Sequence, residues 1–173
     1  MSMFLKPDYI FSDLTQLKPE HLENIGVKGL IFDLDNTLLP PHTHQLQAYV
    51  AQWLQTMQDA GFPYIVVSNN KDVAYLKQAE HLLNVPVLGP ARKPSTRMIK
   101  QAIAWLKLSP ETVAVVGDRP LTDLWSGQRA GCKTILVDPL MRANERGIIH
   151  LLRTLERLPV SVPKHTKAHL HSL

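Results

Sequence analysis

The chain has 173 residues, 45% of them hydrophobic and 20% charged, enough for one ordinary domain with a real core and too few for a second large one. No apolar run approaches the roughly 20 residues that span a bilayer, and the N-terminus MSMFLKPDYIF, broken by Pro7 and Asp8, does not read as a secretory signal, so a cytoplasmic location is expected. A single cysteine, Cys132, excludes a disulfide framework, and a net charge of +4 is too modest to select a partner by itself.

Residues 1–26 read as a lead-in. Pro19 and Glu20 open a short helix that Gly26 stops, and only packing is expected of it. Gly29 to Phe32 is an apolar run of the kind buried on both faces of a parallel sheet, and it ends in two acids, Asp33 and Asp35. Period-two alternation aims both carboxylates the same way, with Asn36 and Thr37 opening a tight loop beyond them. Two carboxylates so close suit a hard cation. Taken alone, Asp35 to Thr37 reads equally well as a polar turn capping the next helix.

Pro40 and Pro41 block helix, after which Leu46, Val50, Trp53, Leu54 and Met57 form one helical face ending at Gly61. His42 and His44 flank its start and, without acidic or cysteine company, read as exposed loop histidines. Phe62 to Val67 repeats the buried-strand pattern and again ends in small polar residues, Ser68, Asn69 and Asn70. Helix returns over 72–83 and a short third strand over Pro86 to Leu88, and the Gly89-Pro90 turn leads into Ala91-Arg92-Lys93-Pro94. Ser95 is placed to cap a helix whose face is Met98, Ile99, Ala102, Ile103 and Leu106. Thr112 to Val116 is a fourth strand, closed by Gly117-Asp118 and followed by Asp123. Helix then runs to Ala130 and Gly131, Cys132 reads as a small buried residue, and Thr134 to Val137 is a fifth strand.

The tail differs in character. Residues 145–158, ERGIIHLLRTLERL, put Ile148, Ile149, Leu152 and Leu155 on one stripe and Arg146, Arg153 and Arg157 elsewhere, a basic amphipathic helix. It suits docking on the chain's own sheet or a subunit, or lying on an anionic membrane as a peripheral contact. Residues 159–173 read as a frayed tail with solvated His165, His169 and His171.

Strands alternating with helices in this way imply right-handed crossovers and an open, doubly wound parallel sheet. In such sheets ligands bind beyond the carboxyl ends of the strands, where the strand order reverses. Each polar cluster lies at such an end: Asp33 and Asp35 after the first strand, Ser68 and Asn69 after the second, Lys93 after the third, Asp118 and Asp123 after the fourth.

D-x-D-x-T at Asp33 to Thr37, the strand-terminal Ser68, Lys93-Pro94 and G-D-x-x-x-x-D at Gly117 to Asp123 together resemble the haloacid-dehalogenase (HAD) superfamily of phosphohydrolases, over residues 27–138. SNN after the second strand, ARKP, GDRPLTD and RANER at Arg142 to Arg146 are similar to the YqeG-type subfamily of subclass IIIA phosphatases. That group is in turn similar to mitochondrial phosphatidylglycerophosphate phosphatases. The resemblance implies a Rossmannoid α/β fold with five parallel strands in the order 5-4-1-2-3, within a hydrolase domain of residues 27–158. It implies Mg²⁺ held by the carboxylates of Asp33 and Asp118 and the backbone carbonyl of Asp35, with Asp123 in support. It casts Asp33 as nucleophile, Asp35 as general acid and base, Thr37, Ser68 and Asn69 as phosphate-side residues, and Lys93 as the cation that neutralises the phosphate and holds Asp33.

Two departures bear on substrate selection: Arg119-Pro120 stands where the subfamily usually has glutamine, and the loop after DNT is proline- and histidine-rich. Arg119 is placed either to contact phosphate or to rim the cleft. Only 30 residues separate Thr37 from Ser68, and 23 separate Asn69 from Lys93, so no cap domain fits. An open cleft suits a phosphate presented on something large, and phosphatidylglycerophosphate is the first specific candidate. The alternative is a phosphate- or metal-binding protein without turnover, attached to a nucleic-acid or ribosomal partner, although no aromatic-interleaved basic patch supports direct nucleic-acid contact.

Overall fold

The apolar runs become the centre of one parallel sheet. In the structure, a computed structural model that describes residues 6–41 and 43–141, the strands are β1 (Tyr9–Phe11), β2 (Gly29–Phe32), β3 (Tyr64–Val67), β4 (Val87–Leu88), β5 (Val113–Gly117) and β6 (Lys133–Val137). They lie in the order β1-β6-β5-β2-β3-β4, every pair parallel. Every residue of β2, β3 and β5 is buried, which is why these strands carry no polar alternation. The helices are α1 (Pro19–Asn24), α2 (Ala48–Asp59), α3 (Val73–Leu83), α4 (Arg97–Leu106) and α5 (Trp125–Arg129). His42, the helix expected over 145–158 and the tail 159–173 fall outside the described residues.

The five expected strands keep the expected mutual order, as β6-β5-β2-β3-β4, but the sheet has six. The sixth comes from the lead-in, from which only packing was expected. β1 pairs with β6, Tyr9 opposite Ile135 and Phe11 opposite Val137, so that β6 is not left as a bare edge. Its three residues are all half-buried, which leaves no buried run to read in the sequence. Asp8 reinforces the pairing: its backbone N–H donates to Thr134 O at 2.7 Å and its Oδ2 accepts from the Thr134 N–H at 2.8 Å. Leu14, Leu17 and Leu22 extend the lead-in into the core, and Trp53 Nε1 donates to Leu17 O at 2.8 Å.

Alternation along the strands divides the core between the two faces. Leu30 and Phe32 join Trp53, Met57, Tyr64, Val66 and Leu76 in one cluster, while Ile31 joins Ile65, Val67, Ile99, Ile103 and Val115 in the other. Phe32 meets the rings of Trp53 and Tyr64 edge-on, at 5.7 and 5.6 Å between centroids. Thr96 stands at the N-terminus of α4 without a side-chain cap bond, and the Oγ of Ser95, the expected cap, accepts from the Arg97 N–H at 3.4 Å. The segment after β5 differs from expectation, opening as a π-helical turn, Pro120–Leu124, before α5. Cys132 is buried, and burial pushes its thiol up to about 12, consistent with a packing role.

Strand order reverses between β2 and β5. Phe32 pairs with Val116 there, and the Asp33 N–H donates to Val116 O at 2.9 Å, so the ends of both strands open side by side onto one edge of the sheet.

Candidate active site

Beyond β2 the chain winds tightly around Leu34, whose carbonyl accepts from the N–H groups of Thr37, Leu38 and Leu39 at 3.0 to 3.3 Å. The turn needs a left-handed residue, and Asn36 supplies it with φ 67°. Asn36 also ties the loop to the segment after β6, its backbone and side-chain oxygens accepting from Leu140 N (2.8 Å) and Met141 N (3.0 Å). Thr37 is buried in the same loop, and its Oγ1 has no hydrogen-bond partner among the described residues.

Asp33, Asp118 and Asp123 converge from β2 and β5. Each is buried and offers a carboxylate oxygen, the three lying within 4.8 Å of one another. Gly117 makes this approach possible, because a Cβ there would stand 2.6 Å from Cβ, Cγ and Oδ2 of Asp123. Lys93 enters the cluster from the loop after β4. Its Nζ lies 2.5 Å from Asp33 Oδ1, 2.6 Å from Asp123 Oδ1 and 2.9 Å from the carbonyl of Val67. The other Asp123 oxygen accepts from the Arg119 N–H at 3.1 Å, so Asp123 is braced on both sides.

Burial is the largest influence on Asp33 and pushes its carboxyl up to about 7; the Asp123 charge adds to this, Lys93 opposes it, and Asp35 adds a little more. Burial works against the Lys93 charge, but the carboxylates of Asp123 and Asp33 outweigh it and hold the ammonium above its ordinary range. Among the described residues, three buried carboxylates thus gather within reach of one another, two of them paired with Lys93. Such a set of hard oxygen donors fits a divalent ion of the Mg²⁺ type.

Ser68 and Asn69 follow β3. Ser68 is buried, and its Oγ accepts from the Asn70 N–H at 3.0 Å, a bond that leaves the hydroxyl proton unused. The Asn69 side chain does something the sequence did not indicate: its Oδ1 accepts from Lys93 N at 2.6 Å and its Nδ2 donates to Lys93 O at 3.3 Å. It brackets the backbone of Lys93, at the point where Arg92 takes a left-handed φ of 53°. The Asn69 side chain therefore braces the backbone of the lysine.

Asp35 is placed differently from its expected neighbours. Its carboxylate is outside the group formed by Asp33, Asp118 and Asp123 and is engaged by Tyr75 and Asn70. Tyr75 carried no signal beyond its place in the first turn of a helix. His44, an exposed loop histidine as expected, packs its ring edge-on against Tyr75 at 5.5 Å.

A model of the mitochondrial PGP phosphatase family matches residues 2–141. The chain is 32% identical over 170 residues, 98% of its length and 97% of the other's, to the probable phosphatase YqeG of Bacillus subtilis (strain 168). It is 29% identical over 161 residues to phosphatidylglycerophosphate phosphatase 1, chloroplastic/mitochondrial, of Arabidopsis thaliana, matching 88% of this chain and 46% of that protein. Among solved structures, a predicted HAD-like family hydrolase from Porphyromonas gingivalis shares the fold with a TM-score of 0.51 and 14% identity, over 75% of this chain and 98% of that one. An uncharacterised protein from Listeria monocytogenes serotype 4b does so with a TM-score of 0.54 and 18% identity, over 69% and 85%. With the family model covering residues 2–141 and a YqeG relative matched over nearly its whole length, the chain belongs to the PGP phosphatase family, as a YqeG-type phosphatase with a HAD-like fold.

Proposed function

We propose that this phosphatase hydrolyses phosphomonoesters through an aspartyl-phosphate on Asp33, with Mg²⁺ at the acidic cluster, and that its substrate is presented on a surface, phosphatidylglycerophosphate being the first candidate. The observation that carries the reading is the buried cluster of Asp33, Asp118 and Asp123 around Lys93 at the switch point of the sheet. Asp33 attacks phosphorus, the ester P–O bond breaks, and its electron pair leaves on the alcohol oxygen, which takes a proton from Asp35. Water then attacks the phosphorus and gives a proton to Asp35, the bond to Asp33 breaks, and inorganic phosphate departs. Asp33 and Asp118, with the carbonyl of Asp35, would hold Mg²⁺, which when bound supplies the positive charge that lets an anionic nucleophile approach an anionic phosphate.

Around these steps Lys93 binds a phosphoryl oxygen while fixing Asp33, and Asp123 keeps Lys93 in place. The Ser68 hydroxyl and the backbone N–H of Asn69 take further phosphoryl oxygens, and the buried Thr37 Oγ1 stands in the same loop as Asp33.

Two observations favour a surface-borne substrate. The connections from β2 to β3 and from β3 to β4 each carry one helix, α2 and α3, and neither holds an inserted cap domain. The segments that follow β3 and β5 expose Val73 (60%) at the start of α3, Leu121 (41%) in the π-helical turn and Trp125 (44%) at the start of α5, and Lys71 and Arg92 are exposed after β3 and β4. Apolar and basic side chains ringing an anion site suit an anionic lipid surface. Peripheral membrane contact follows from the same reading.

The test is release of phosphate from p-nitrophenyl phosphate and from phosphatidylglycerophosphate in vesicles, with Mg²⁺ and with EDTA. Hydrolysis that EDTA abolishes and Asp33→Asn eliminates is expected. Turnover retained in Asp33→Asn rejects the aspartyl-phosphate, and phosphate binding without turnover on any substrate returns the chain to a binding role.

A further inference from the structure

We infer that Tyr75 is a positioning residue for proton transfer, orienting the carboxylate of Asp35 apart from the acidic cluster; the inference rests on the phosphatase mechanism proposed above. Both Asp35 oxygens are engaged. Oδ1 accepts from the Tyr75 hydroxyl at 2.7 Å and Oδ2 from Asn70 Nδ2 at 3.2 Å. Neither donor carries a charge, and both come from the segment that follows β3 rather than from the strand that carries Asp35.

The frame that holds these donors is continuous. Ser68 Oγ accepts from Asn70 N, Asn70 Oδ1 accepts from Asp72 N at 3.0 Å, and Asp72 caps α3 by accepting from Ala74 N and from Tyr75 N itself. Tyr75 is buried in the core cluster beside Leu76, with His44 edge-on to its ring, so the phenol has little freedom to turn. Burial pushes the phenol's ionisation upward, and the hydrogen bond and charge of Asp35 push it further, followed by the charge of Asp33. Tyr75 thus remains a donor and is not itself an acid in the working range.

Positioning matters because of what lies nearby. The Lys93 ammonium pairs with Asp33 and Asp123, and a loose Asp35 carboxylate would be drawn toward the same cation. A general acid collapsed into that cluster no longer meets the leaving oxygen. Anchoring Asp35 on Tyr75 and Asn70 keeps it separate from the nucleophile two residues away while leaving it able to give and take a proton.

The experiment uses the full chain with Mg²⁺ and compares kcat/KM, which reports the step that expels the leaving group, for an alkyl phosphate and for 2,4-dinitrophenyl phosphate. An alkoxide needs a proton as it leaves and a dinitrophenolate does not. Tyr75→Phe keeps the ring and removes the donor, and the alkyl-to-dinitrophenyl ratio is expected to fall about tenfold. Added to Asp35→Asn, the same change should leave the ratio where Asp35→Asn put it. Should Tyr75→Phe lose its cooperative melting transition, Asn70→Ala removes the other donor and is expected to lower the same ratio. An equal fall on both substrates, or an unchanged ratio, overturns the positioning role while the wild-type enzyme remains active. A wild type that hydrolyses neither substrate overturns the mechanism itself, and this inference with it.

Discussion

Lys93 Nζ stands 2.5 Å from Asp33 Oδ1, both groups buried, so the residue expected to attack phosphorus is held by a cation from the opposite side of β3. Removing that cation leaves buried carboxylates uncompensated, a change that typically costs about 3–5 kcal/mol. Lys93→Met is therefore expected to abolish turnover and to lower the midpoint of chemical denaturation. The loss should be larger at pH 8, where the carboxylates are ionised, than at pH 5. Lys93→Arg should not restore activity, since a planar guanidinium does not fit a site shaped for three contacts to one nitrogen. Equal stability of wild type and Lys93→Met at pH 8 would remove the ion pair from the explanation.

Asp33 makes metal-free stability depend on pH in an unusual direction. Its carboxyl lies at about 7 in the folded chain against an ordinary 3.8, so between these values the folded state binds more protons than the unfolded one. Stability contributed by this group is fully present below pH 3.8, falls as pH rises toward 7, and levels off above that. In EDTA the melting temperature should therefore drop across this window, and Asp33→Asn should flatten the drop. Mg²⁺ should raise the melting temperature more at pH 8 than at pH 5. Parallel profiles for wild type and Asp33→Asn would contradict the assignment.

Gly117→Ala tests the close approach of β5 to Asp123. Its added Cβ meets Asp123 atoms at 2.6 Å, and Asp123 is held by Lys93 and the Arg119 N–H, so neither side yields freely. Overpacking of this kind typically costs about 1–3 kcal/mol. Displacing Asp123 should also loosen Lys93, so activity and Mg²⁺ affinity should fall together, by isothermal titration and by phosphate release. A variant with native affinity and rate would show that Asp123 shifts without consequence.

Removing residues 1–12 should cost more than a lead-in suggests. Deletion takes away β1 and the Asp8 bonds to Thr134, and bares the edge of β6, whose last four residues are buried. A long apolar edge invites pairing between chains. Size-exclusion chromatography should show association or aggregation of the truncated chain, and a monodisperse product of native mass would reject the protective role.

What could be read from the sequence divides along physical lines. β2, β3 and β5 were legible because burial on both faces writes itself as an unbroken apolar run, and parallel topology then brings Asp33, Lys93, Asp118 and Asp123 to one edge. β1 was not, because three half-buried residues at a sheet edge carry no such run. Within the site, alternation pointed Asp35 the same way as Asp33, but the strand ends at Phe32 and the left-handed Asn36 turns the loop, so the Asp35 side chain follows its hydrogen-bond donors, Asn70 and Tyr75, on the segment after β3. The bracket of Asn69 on Lys93 depends on a loop conformation that no periodicity encodes.

Val73 follows β3 and Leu121 and Trp125 follow β5, so they flank the loop of Asp33 on two sides of the sheet edge, with Lys71 and Arg92 exposed beside them. Against an anionic bilayer each basic side chain near the surface is worth about 1 kcal/mol, roughly a fivefold change in binding at low salt. Hydrolysis of phosphatidylglycerophosphate in anionic vesicles should therefore fall as salt rises, and Lys71→Ala with Arg92→Ala should lower the vesicle rate while hydrolysis of soluble p-nitrophenyl phosphate is retained. Leu121→Ala with Trp125→Ala should lower the vesicle rate at every salt concentration, because apolar insertion is not screened. Small soluble sugar phosphates should remain poor substrates, since an uncapped site gains little binding energy from the rest of the molecule. A chain ending at Arg142 measures separately what residues 145–158 add. Rapid turnover of one soluble metabolite, indifferent to salt and to all four rim substitutions, would reject the lipid surface and leave the rim as ordinary exposed surface.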